Sequence, residues 1–129
     1  MHERQQLKHT VIYGRIDEAG KVLLPVIVIA ADGLEVEVEA AVSLEFGGAM
    51  AISEELAKAL GWRRLGARRV VVGFQTVQMD HYLGTMSLGG EPHQVVVLGG
   101  IKNRAIIGEK FLSGRKLTLD FSRSKVILE

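Results

Sequence analysis

The residues best placed to do chemistry are Ser43-Leu44-Glu45-Phe46-Gly47-Gly48. A hydroxyl and a carboxylate stand two positions apart, ahead of two glycines that let the backbone turn. Two chemistries could come from such a set. A serine nucleophile needs an adjacent base, and neither histidine nor lysine stands in the loop to activate Ser43. General acid–base work needs a positioned carboxylate, and Glu45 is the loop's sole acid. The chain has no cysteine, which removes thiolate metal sites, disulfides and cysteine nucleophiles. His81 and His93 fall in strand-like segments, with no third ligand at a metal-site spacing. They read as structural or surface histidines, and neither a metal nor another cofactor is expected. Glu35, Glu37 and Glu39 alternate with aliphatic residues, the pattern of a solvated strand face rather than of a metal site. Arg63-Arg64 and Arg68-Arg69 form a small basic cluster that reads as a solvated loop and the start of a strand.

The elements that must hold the loop follow from periodicity and turn residues. Thr10–Ile16 reads as a strand, and Asp17-Glu18-Ala19-Gly20 as a turn. Lys21–Ala30 is rich in β-branched residues and reads as a buried strand, bent or at an edge where Pro25 lacks an N–H. Asp32-Gly33 is a hairpin turn, and Leu34–Val42 returns as a strand with glutamates on its wet face. After the loop, Ser53 is an N-cap for a helix Glu54–Leu60, with Glu54 and Glu55 favoured by the helix dipole and Gly61 ending it. Trp62 is expected to pack at that corner. Arg68–Phe74 and Val77–Leu88 read as a hairpin with its tip near Phe74-Gln75-Thr76. Gly89-Gly90-Glu91-Pro92 reads as a turn, His93–Leu98 as a strand and Gly99-Gly100 as its break. Ile106-Ile107-Gly108 leads into a helical turn ending near Ser113-Gly114. Arg115–Phe121 and Lys125–Glu129 close the chain as strands, with Leu117, Leu119 and Phe121 on the apolar face.

Composition sets the outer limits. The 129 residues fit one domain, with residues 1–9 expected as a flexible polar tail and 10–129 as a single unit. With 47% hydrophobic and 24% charged residues, the chain has the makings of a globular core. A net charge of +1 supplies no strong field for nucleic acid or an anionic membrane, so neither is an expected partner. No stretch reaches the roughly 20 apolar residues of a membrane span. The polar Met1–Gln6 start predicts no leader peptide, so a cytoplasmic location is expected.

In sequence order, several pieces stand together: Gly14-Arg15-Ile16-Asp17, the Asp32-Gly33 turn, Ala41-Val42 before Phe46-Gly47-Gly48, the helix from Ser53, Tyr82-Leu83-Gly84-Thr85, Ile106-Ile107-Gly108 with Phe111-Leu112, Leu117–Phe121 and Lys125-Val126-Ile127. Their order resembles that of the retropepsin-like aspartic proteases, in particular the small single-domain bacterial type, over about residues 12–128. The resemblance implies a mainly β fold, a small closed barrel with one or two short helices. It also implies a homodimer in which each chain would give one aspartate to a site on the twofold axis, and a flap at Gly73-Phe74-Gln75-Thr76.

The family's Asp-Thr/Ser-Gly tripeptide is replaced here by Ser43-Leu44-Glu45. Two carboxylates sharing one proton activate water in that family, and a serine hydroxyl is no such base. Carry-over therefore leaves no intact catalytic residue. The expectation is a catalytically inactive pseudo-protease with a peptide-binding or dimeric structural role, taking an extended peptide or protein ligand. An active peptidase using a symmetric pair of Glu45 residues is an alternative. So is a DNA-binding regulator, because Gly14–Pro25 resembles the swapped-hairpin motif of antitoxin and transition-state regulators.

Overall fold

A computed structural model describes residues 11–88 and 90–129. The expected tail, and Thr10 of the first strand, lie outside the described residues. In chain order the elements are β1 (Ile12–Ile16), β2 (Val22–Ile29), β3 (Glu35–Val42), β4 (Met50–Ile52), α1 (Glu54–Ala59), β5 (Arg63–Val72), β6 (Gln75–Leu88), β7 (Glu91–Gly99), β8 (Ala105–Ile107), α2 (Glu109–Leu112), β9 (Leu117–Asp120) and β10 (Lys125–Leu128).

Six of the strands close into a barrel in the order β6-β7-β4-β8-β3-β2, with β2 returning to β6 through Ile27↔Ser87 and Val28↔Met86. The fold is thus mainly β, a small closed barrel with two short helices. Beyond β2 the sheet continues through β1, β10 and β9, and beyond β6 through β5. Period-two patterning explains the barrel wall. Glu35, Glu37 and Glu39 are exposed while Val36 and Val38 between them are half-buried. Leu24, Val26 and Val28 alternate inward from β2 and meet Met50, Ile52, Met86, Val97 and Ile107. Each such side chain contributes on the order of 1.5–3 kcal/mol by leaving water.

Pro25 does not lie at an edge. On one side β2 pairs with β3 along its length. On the other, β1 covers Val22 and Leu23 and β6 covers Ile27 and Val28. Pro25 falls in the gap between those two partners, where no strand on that side asks it for an N–H.

Three boundaries differ from the sequence reading. β5 begins at Arg63 rather than Arg68, so both arginine pairs are strand residues. A bulge between Arg64 and Gly66 shifts its register against β6 and breaks the alternation that marks a strand. β7 begins at Glu91, with Pro92 opposite Ser87, so the turn before it is shorter than its residue types suggest. Phe121, expected on an apolar face, is exposed past the end of β9.

Two features position the site. The first is the long β6. Its C-terminal part lies in the barrel wall against β7 and β2, and Gln75–Met79 pairs only with β5, from Arg68 to Val72. The β5–β6 hairpin therefore projects as a two-stranded arm with Gly73-Phe74 at its tip. The second is the insertion of β8 between β3, which it follows in parallel, and β4, which it opposes. The chain leaving β3 must cross the end of β8 to reach β4, and residues 43–49 make that crossing.

Candidate functional site

The crossing loop is fastened to the end of β8 and to α2 through its backbone. Ser43 N–H donates to Ile107 O at 2.9 Å, and Gly108 N–H to Ala49 O at 3.0 Å. Glu109 N–H donates to Phe46 O at 2.9 Å and Lys110 N–H to Gly48 O at 3.2 Å. Gly108 gives α2 no side-chain cap. The loop's carbonyls thus satisfy amides that a short helix leaves orphaned. This docking needs glycine at Gly108, where a Cβ would run into the carbonyl oxygens of Phe46 and Gly48. It also needs glycine at Gly48, where a Cβ would lie 2.7 Å from Phe46 Cζ.

The ring of Phe46 is the anchor. It is buried with Ala51 and Leu98, and Val70, Met79, Ile101 and Ile106 pack around that small second core. Over it lies a cavity of about 300 Å³ lined by Ser43, Glu45, Phe46, Ala51, Val70, Val71, Gly73, Met79, Gly100, Ile101, Lys102, Arg104 and Ile106. Its floor is apolar and its charged members are Glu45, Lys102 and Arg104. A neighbouring cavity of about 290 Å³ also uses Phe46, with Gly48, Ala49, Arg68, Val95, Val96, Leu98 and Lys110. Both linings draw on the arm and on the crossing loop and share Phe46, and the two cavities together are called the cleft.

The structure brings Ser43, Glu45 and Phe46 together with Gly73 of the expected flap. Leu44 does not join them; its side chain is 74% exposed. Gly47 is exposed. Phe74 stands fully exposed at the arm tip, and Gln75 and Thr76 are exposed at the start of β6. Met79, Ile101, Lys102 and Arg104 are site residues that the sequence reading missed. The last three come from the loop between β7 and β8, where Asn103 takes a left-handed conformation with φ 56°. Gly99-Gly100 signalled a break there but not its destination. Among the described residues, no group of three side chains is arranged to hold a metal, and no helix is long and apolar enough to cross a membrane.

Other acids lie elsewhere. Asp32 Oδ1 accepts from Leu34 N–H in the β2–β3 turn. Asp120 Oδ1 accepts from Ser122 and Arg123 in the β9–β10 turn, which lowers its pKa. Glu39 makes a two-pronged pair with Arg15, both contacts 3.0 Å. Asp80 accepts from Arg64 at 2.8 Å, and the hydrogen bond from that guanidinium lowers the Asp80 pKa. Next to that pair, Tyr82 Oη donates to Glu54 Oε2 at 2.6 Å. Burial, with Glu54 beside it, raises the Tyr82 pKa to about 12. His93 is exposed, and His81 lies partly buried opposite the β5 bulge with Nδ1 enclosed and unpartnered.

Ser43 has no histidine beside it, and Glu45 has no second carboxylate among the residues lining either cavity. No family model matches the chain, and no curated protein matches it.

Proposed function

We propose that this protein binds an extended peptide segment in the cleft between the crossing loop and the β5–β6 arm, and that it does so without hydrolysing the bound peptide. In this reading the chain is a retropepsin-like pseudo-protease that acts as a homodimer, with the arm as its flap. One observation carries the proposal: the loop holding Ser43, Glu45 and Phe46 shares an apolar cavity with the arm residues Val70, Val71, Gly73 and Met79. An extended peptide suits such a cleft because alternate side chains can enter it while the rest point away.

The loss of chemistry follows from the loop. A dyad needs two carboxylates close enough to share one proton. Ser43 offers a hydroxyl, and Glu45 would reach a twofold axis on a longer side chain and two positions later. The alternative, a peptidase using paired Glu45 residues, makes a distinct prediction. Under it, Glu45→Gln abolishes a cleavage activity that the unmodified protein displays.

The test compares the unmodified protein with a triple variant carrying Ser43→Asp, Leu44→Thr and Glu45→Gly. The unmodified protein should bind apolar extended peptides without cleaving them and should sediment as a dimer. The triple variant should gain slow, pepstatin-sensitive cleavage. A folded triple variant that neither binds nor cleaves a broad peptide library overturns the reading.

A further inference from the structure

We infer that the occupant of the cleft is an acidic extended segment, one carrying glutamate or aspartate at alternate positions between apolar residues. This rests on the peptide-binding reading above and names the chemistry of its ligand. Four cations line the two cavities, Lys102 and Arg104 in one and Arg68 and Lys110 in the other, against a single acid, Glu45. They come from three elements: the β7–β8 loop, the arm strand β5 and the helix α2. Their convergence is therefore a product of the fold and not of one basic run. The chain as a whole carries a net charge of only +1, so the excess is local.

Among the described residues, Arg15, Lys58 and Arg64 pair with Glu39, Glu54 and Asp80. Among those same residues Lys102, Arg104, Arg68 and Lys110 make no such pair, and all four are exposed. A cleft lined by one sign of charge over a low-dielectric floor concentrates the opposite charge. The apolar strip of Phe46, Ala51, Ile106 and Leu98 supplies that floor. Residues two apart on an extended chain are separated by roughly 6.6 Å on the same face. A segment alternating acidic and apolar residues can thus offer carboxylates to the rim and aliphatic groups to the floor. A single-stranded nucleic acid would instead ask for exposed rings to stack its bases. The ring at the centre of the cleft, Phe46, is buried.

The experiment measures fluorescence anisotropy of four labelled probes: a short peptide alternating glutamate and valine, its glutamine and lysine counterparts, and an oligothymidylate. At low salt the glutamate peptide should bind about tenfold more tightly than the glutamine peptide, as a few partly exposed charge contacts allow. The gap should shrink at about 0.5 M salt, where charges are screened within roughly 3–5 Å. Lys102→Gln with Arg104→Gln, and Arg68→Gln with Lys110→Gln, should each remove several-fold of that preference, weakening the glutamate peptide more than the glutamine peptide. Coincident thermal melts confirm that these exposed substitutions leave the fold intact. Equal binding of the glutamate and glutamine peptides, or a preference for the lysine peptide, overturns the acidic ligand and leaves the peptide-binding reading standing. Tighter binding of the oligothymidylate than of the glutamate peptide overturns it in favour of nucleic acid. If no peptide binds, the peptide-binding reading falls and this inference with it.

Discussion

On one face of β6, Asp80 pairs with Arg64 and Tyr82 with Glu54. On the opposite face, Met79 helps roof the cleft, where Lys102 and Arg104 have none among the described residues. Both surfaces grow from the same strand, because successive side chains point to opposite sides. The paired face fixes α1 against the barrel. Gly99 lets it close, since a Cβ there would lie 2.8 Å from the Tyr82 ring and 2.9 Å from Glu54 Oε1. The unpaired face has charge and apolar surface left over. The paired face consumes its polar groups internally, while the cleft leaves Lys102 and Arg104 without an ion-pair partner among the described residues.

The sharpest break in this comparison comes from the loop side. Gly108→Ala should cost about 3 kcal/mol or more, because the added Cβ meets backbone oxygens that cannot swing aside. Chemical denaturation should show the lost stability, and the variant should lose peptide binding with it. A variant as stable as the parent would mean that the crossing loop is not docked on α2 as described.

On the paired face, Tyr82 gives the next effect. Its proton is held more tightly in the folded state, so its contribution is complete below pH 10 and is lost as the pH climbs towards about 12. A rise of that size corresponds to roughly 2.7 kcal/mol. The carboxylate of Glu54 is partly exposed, and screening brings the expectation down to about 1–2 kcal/mol. Tyr82→Phe should therefore flatten the alkaline limb of a stability–pH curve. Parallel curves for the two proteins would mean that Tyr82 does not hold its proton more tightly in the folded state.

Arg64→Gln should do least. Both partners of its pair with Asp80 reach solvent, so the denaturation midpoint should fall slightly at low salt and match the parent's at high salt. A large, salt-independent loss would show that the paired face is more tightly enclosed than its exposure indicates.

Much of the fold was legible in residue types. The alternation in β3, the Asp32-Gly33 turn, the Ser53 cap and the Gly61 stop of α1 all act over a few residues, and all appear where their chemistry places them. Ser53 Oγ accepts from Leu56 N–H at 3.0 Å, as an N-cap should. The early start of β5 was hidden because the bulge at Arg64–Gly66 shifts the pairing within the strand. Pro92 reads as a turn residue, yet it is the second residue of β7, opposite Ser87. Four of the thirteen residues lining one cavity, Ser43, Glu45, Phe46 and Gly73, were singled out in the sequence. Lys102 and Arg104 were not, because nothing local distinguishes a loop cation facing a cleft from one facing bulk water.

By itself the sequence determined the order of strands, the two helical turns and the lack of an aspartate in the loop Ser43-Leu44-Glu45, since propensity, capping and side-chain chemistry are properties of neighbouring residues. Tertiary structure alone decided that β2 closes on β6, that β8 inserts between β3 and β4, and that Arg68, Lys102, Arg104 and Lys110 surround Phe46. Those outcomes depend on contacts between residues distant in the chain. Such contacts form only where buried area and backbone pairing outweigh the entropy of closing the intervening loops.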